Sequence, residues 1–151
     1  MRIASTKWQY RALALSTFFL FSCIKYHEQY YNSFDEFNVA NVRNKSWFPY
    51  KIISADTYEL KNISSLDHNF AFGSFKYLDD RYYDSIFNSD KTERISFKAF
   101  NAKVKLNKAG KPSWFIDTDA TSINDSDNIK YERFYITRNK NKKVIYFVLS
   151  R

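Results

Sequence analysis

The chain has 151 residues, a formal net charge of +8 and an aromatic fraction of 20%, with two glycines, two prolines and one cysteine. A single cysteine excludes a disulfide framework and a thiolate metal cluster, and so few glycines exclude a glycine-rich phosphate cradle. Fifteen Phe and twelve Tyr argue against disorder and give a small core ample apolar surface.

Residues 1–22 read as an export leader. Arg2, Lys7 and Arg11 give a positive start, Ala12 to Phe21 is an apolar stretch, and Ser22 is a small residue before Cys23. An uncleaved anchor helix is disfavoured, because a helical span needs about 20 apolar residues and charge returns at Lys25 and Glu28. A cytosolic amphipathic helix would interleave polar residues, whereas only Ser16 and Thr17 interrupt this stretch. The closing Leu20-Phe21-Ser22-Cys23 resembles the bacterial lipobox, whose cysteine receives a diacylglyceryl group. Cys23 is therefore the expected lipidation residue, and acylation accounts for a lone thiol in an exported chain. Two acyl chains anchor stably where one binds only marginally. Ile24 stands where some lipoproteins carry the Asp that retains them at the inner membrane, which favours the outer membrane in a Gram-negative host.

Residues 24–32 read as a tether between lipid and fold. Ser33 and Glu36 have capping-box spacing, and the helix they open places Phe34 and Phe37 on one face and runs to Arg43 or Asn44. A loop follows at Trp47-Phe48-Pro49. Tyr58, Leu60 and Ile63 mark a strand, Leu66-Asp67-His68-Asn69 a turn, and Phe70 to Tyr77 the return strand. Phe70 and Phe72 share a parity that Phe75 and Tyr77 do not, which predicts a β-bulge at Gly73-Ser74. Asp79 and Asp80 favour the start of a helix over Arg81 to Asn88, with Tyr82/Ile86 and Tyr83/Phe87 as pairs facing the sheet.

Ile95 to Leu106 alternates apolar residues with Lys and predicts a half-buried strand. Lys108 to Pro112 reads as a turn, Trp114-Phe115-Ile116 as a further strand and Asp117 to Asn128 as a polar loop. Ile129 to Thr137 and Lys142 to Leu149 flank Arg138-Asn139-Lys140-Asn141 as a hairpin. Val144 to Leu149 is apolar on both faces, so this strand should be internal and covered on both sides. The pattern predicts an α+β fold: a single domain over 33–151, an antiparallel β-sheet with two short helices, preceded by the signal peptide 1–22 and a lipidated tether 23–32.

Several pieces of residues 33–77 form a further pattern: Ser33-Phe34-Asp35-Glu36, Trp47-Phe48-Pro49, Ser54-Ala55, Leu66-Asp67-His68-Asn69 and Phe72-Gly73-Ser74-Phe75. It resembles the YbbD head-type domain family of small, mostly uncharacterised bacterial lipoproteins and membrane proteins. Two positions depart from that family's pattern, Ser46 where it has Gly and Ile53 where it has Pro, and the gap from Ser-Ala to Asp-x-Asn is longer. The resemblance implies a shared head fold and a membrane-associated life, and it carries no catalytic residues. Physically, Trp47 beside Pro49 caps a core and stops the helix, while Asp67 and Asn69 are turn formers. Trp47, Phe48 and Pro49 are also the candidate binding surface.

Chemistry-bearing constellations are few. His27 and His68 have no cysteine partners for zinc. Asp117, Asp119, Asp125 and Asp127 suggest calcium, but Ser122 and Asn128 stand where the EF-hand loop needs Gly and Glu. No nucleophile elbow, P-loop or dinucleotide fingerprint occurs. Asp79-Asp80 serves a helix start more simply than acid–base work. Neither catalysis nor a metal or cofactor is expected.

Charge is unevenly placed: residues 23–90 sum to −3 and residues 91–151 to +8. A basic, aromatic half resembles a nucleic-acid surface, yet an exported tethered chain rarely meets nucleic acid, and none is expected as a partner. Anionic lipid headgroups, worth about 1 kcal/mol per basic residue, or plain solvation suit it better. The expectation is a non-catalytic lipoprotein of the cell envelope, anchored through Cys23 and facing the periplasm or exterior, acting by binding a protein partner or by envelope support. The alternative is an immunity or inhibitor protein against a toxin or envelope enzyme, whose encounter complementary charge would speed.

Overall fold

In a computed structural model, which describes residues 25–121 and 123–150, the chain is built on seven strands. They are β1 (His27–Ser33), β2 (Tyr58–Ser65), β3 (Phe70–Lys76), β4 (Glu93–Arg94), β5 (Asn128–Tyr131), β6 (Phe134–Asn139) and β7 (Val144–Ser150). All pairings are antiparallel, in the order β1-β2-β3-β7-β6-β5-β4. The helices are α1 (Phe34–Val39), α2 (Val42–Lys45), α3 (Asp80–Phe87) and α4 (Phe97–Leu106). This is the expected α+β arrangement, with four short α-helices among the described residues instead of two. The expected leader, residues 1–22, and the expected lipidation residue Cys23 lie outside the described residues.

Strand β7 sits at the centre of the sheet and is covered on both faces, as its doubly apolar sequence demands. One face packs Leu60, Phe75, Ile136, Ile145 and Phe147 beneath α1 and α3, through Phe37, Tyr83 and Phe87. The other packs Phe72 and Val148 beneath α4, through Phe100 and Val104, with Phe115 and Ile116 alongside. Aromatic rings fill both layers: Phe147 lies 5.6 Å from Phe48 and 5.8 Å from Phe134, and Phe72 lies 4.9 Å from Phe115.

Several expectations are corrected. Residues 27–32 are not tether but most of β1, because Gln29 and Tyr31 face inward and His27, Gln29 and Tyr31 pair with Ser64, Asn62 and Leu60. The first helix is capped as foreseen, Ser33 Oγ accepting from Glu36 N at 3.3 Å, but it ends at Val39. Ala40 turns extended (ψ 152°), and Asn41 caps a new helix, its Oδ1 accepting from Asn44 N at 2.9 Å. The acidic helix start holds: the Asp79 carboxylate accepts from Arg81 N at the start of α3.

Gly73 is not in a bulge. The register of β3 against β7 runs unbroken from Phe70 to Lys76, and the shift lies in β2 between Tyr58 and Lys61, where Glu59 has φ 48°. Phenylalanine occupies both parities of β3 because both faces are buried. Gly73 leaves the space into which the Phe147 ring packs; a Cβ there would lie 2.0 Å from Phe147 Cζ.

The largest correction is Ile95–Leu106, which is no strand. Ser96 caps α4, accepting from Ala99 N at 3.2 Å, and Phe100 and Val104 on one side enter the core. Leu106, which alternation would bury, is 71% exposed. Trp114-Phe115-Ile116 is a turn whose Phe115 N donates to Pro112 O, with Phe115 and Ile116 wedged into the core. Finally, 129–137 folds back on itself. Glu132, at φ 53°, and Arg133 separate β5 from β6.

Candidate functional site

The start of β1, the β2–β3 turn and α2 meet at one end of the sheet, and between them lies a cavity of about 530 Å³. Its walls include Lys25 and His27 from the start of the chain, Arg43 and Trp47 from the α2 region, and Leu66 and Asp67 from the turn. Pairing of His27 with Ser64 brings these distant segments together. Of the three residues proposed as a binding surface, Trp47 alone lines this cavity. Phe48 is fully buried against Phe37 (5.1 Å), and Pro49 is buried beside it.

Trp47 is held from below. Its carbonyl accepts from Asn62 Nδ2 at 3.0 Å, and the preceding Ser46 carbonyl accepts from the Arg133 guanidinium at 2.7 Å. Asn62 and Gln29 face each other across β1 and β2, and their side-chain oxygens are buried without a hydrogen-bond partner among the described residues. The rim is apolar and basic. Leu66 is 64% and Tyr26 41% exposed, and neither Lys25 nor Arg43 has an ion-pair partner among the described residues.

Other polar groups are engaged structurally. Ser54, in the Ser-Ala pair, joins its Oγ to Asp56 and to the Tyr83 hydroxyl (3.0 Å), which also meets Thr57 Oγ1 at 3.0 Å. Asp56 Oδ2 accepts from Leu78 N and Asp79 N at 3.0 and 2.7 Å. Burial pushes the Asp56 carboxyl up, but the hydrogen bonds from Ser54 and these backbone groups outweigh it and hold it below its ordinary value. Burial raises the Tyr83 phenol, which has no exposed surface. The network ties the start of β2 to α3.

A second staple is Arg138, 5% exposed, bonded to Asp127 at 2.6 Å and Asp84 at 2.8 Å, with its guanidinium 4.7 Å from the Phe87 ring centroid. Lys140 and Arg138 hold the Asp84 carboxyl below its ordinary value. Burial and then the Asp80 carboxylate, 2.9 Å away, raise the Tyr77 phenol.

The remaining sequence candidates are dispersed. His27 lies at the cavity and His68 stacks 6.5 Å from Phe70. Asp117 accepts from Asp119 N, Asp119 pairs with Lys105 at 2.9 Å, Asp125 accepts from Phe97 N, and Asp127 holds Arg138. Among the described residues no three such groups converge as metal ligands. Sequence reasoning missed Lys25, Arg43, Leu66 and the Gln29–Asn62 pair. Only Leu66 left a trace, an apolar residue at the tip of a polar turn.

Residues 27–76 match the family model of the YbbD head domain. No curated protein and no solved structure matches the chain. The matched segment spans β1 to β3 and includes Trp47 with the two strands that support it.

Proposed function

We propose that this chain, which carries a YbbD head domain over residues 27–76, is a non-catalytic binding head held at a bacterial envelope membrane by acylated Cys23. One observation carries the reading: the leader closes on Leu20-Phe21-Ser22-Cys23 only four residues before β1 begins at His27. A lipid on Cys23 would leave almost no stalk, so the head would work at the membrane surface. The outer membrane is the favoured site in a Gram-negative host. Binding rather than catalysis is supported by the employment of the buried carboxylates and phenols in ties between elements. The cavity beside Trp47, with its unpaired cations and apolar rim, is the surface offered to a ligand.

The test is palmitate labelling with and without globomycin, in the native chain and in Cys23→Ala. Label should depend on Cys23, and globomycin should cause the leader-bearing form to accumulate. Unmodified, leader-bearing protein in the soluble fraction would overturn the reading. A second reading, an immunity or inhibitor protein, is favoured by the charge split of −3 against +8, which would steer an oppositely charged toxin. Capture of a secreted toxin encoded next to this chain would select it.

A further inference from the structure

We propose that the end of the sheet carrying the cavity is a membrane-docking face, which lays the head on anionic phospholipid through Lys25, Arg43, Tyr26 and Leu66. The inference rests on the reading of Cys23 as the anchor and adds an orientation and a lipid class to it. Two residues span at most about 7 Å, so Lys25 stays within that distance of Cys23 whatever path the chain takes. Acyl chains on Cys23 therefore bring the Lys25 end to the headgroups before any other part of the fold.

What stands at that end suits the place. Among the described residues, Lys25 and Arg43 line the same cavity without an anionic partner, and Asp67 is the one carboxylate that lines it. Leu66, at the tip of the β2–β3 turn, and Tyr26, 41% exposed, supply apolar surface that water leaves unsatisfied. On the other side of the sheet the Lys108–Gly110 turn backs onto Phe70, the first residue of β3, and adds Lys108 and Lys111 to this end. Cations around exposed apolar tips, next to an acyl chain, match a phosphate-lined hydrocarbon interface better than they match water. The β6–β7 turn at Lys140–Asn141 lies at the opposite end of β7 and would face away.

The test uses the full chain purified from membranes and reconstituted in vesicles of phosphatidylcholine, with or without phosphatidylglycerol. Dansylalanine replaces Leu66 in one preparation and Asn141 in another. Emission from position 66 should shift to the blue with phosphatidylglycerol and be quenched by nitroxide lipids, while position 141 stays as in water. Lys25→Glu with Arg43→Glu should abolish the shift without releasing the protein. Position 66 behaving like position 141 in both vesicles overturns the proposal, as does a shift that ignores lipid charge and the double variant. A shift without vesicles that grows with protein concentration means a second copy covers the face, and also overturns it. The mass of the N-terminal peptide reads the anchor separately. An unacylated Cys23 with the anionic-lipid shift intact removes the anchor and keeps the face, whereas an acylated chain lacking the shift does the reverse.

Discussion

Replacing Gly73 with Ala tests the packing of the central strands directly. The added Cβ would stand 2.0 Å from Phe147 Cζ and 2.5 and 2.6 Å from the two neighbouring ring carbons. Ordinary carbon contacts begin at about 3.5 Å, so the ring must retreat by about 1.5 Å. It has nowhere to go, because Phe48, Phe75 and Phe134 surround it at centroid distances of 5.6, 6.3 and 5.8 Å. Overpacking of a closed core costs about 1–3 kcal/mol, and a rigid ring wedged among three others belongs at the upper end. Against this, Ala is better than Gly in a strand by about 0.5–1 kcal/mol. The net loss should therefore be about 2 kcal/mol, read from the midpoint of urea unfolding at an unchanged slope. In a Phe147→Leu background the same substitution should cost under about 1 kcal/mol, since the obstructing ring is gone. A G73A loss below about 0.5 kcal/mol with Phe147 intact would refute the argument.

Two further outcomes follow from the staples. Arg138→Ala should destabilise the fold by about 3 kcal/mol, because it strands the nearly buried Asp127 carboxylate, and adding Asp127→Asn should recover part of that loss in the same urea assay. The Asp56 carboxyl is held below its ordinary value of 3.8, so its contribution is complete above that pH and is lost as pH falls through the lower folded value. Thermal unfolding should show a declining acid limb below about pH 4, and Asp56→Asn should flatten that limb while lowering the plateau; an acid limb equally steep in the variant would count against the assignment.

Where a strand or helix announces itself through one face, this sequence was readable. The β2–β3 hairpin, α3 with its Asp79 cap and the doubly buried β7 lie close to their expected positions. The failures come from a chain so aromatic that two periodicities coexist. From Ile95 to Leu106, Lys residues fall between apolar ones at both strand and helix spacing, and only the Ser96 cap and the tertiary slot for Phe100 and Val104 decide for the helix. Gly73 misled for the opposite reason. A glycine amid aromatics suggested a local irregularity, when it answers a ring on another strand.

The site was legible only as Trp47. Its neighbours Lys25 and Leu66 are about forty positions apart in the sequence, and nothing local says that β1 pairs with β2. Phe48 and Pro49, adjacent in sequence to Trp47, belong to the core instead.

The carboxylate of Glu36 has a role beyond capping. Among the described residues, strand β1 forms one border of the sheet, with a neighbour on one side only. Glu36 reaches back and takes the Asn32 backbone N–H at 2.7 Å, while Asn32 Nδ2 also bonds that carboxylate. A visiting strand would need that rung, and it is already occupied. An open sheet edge is a template for strand addition, so this one side chain takes a backbone donor out of reach of a second copy of the chain.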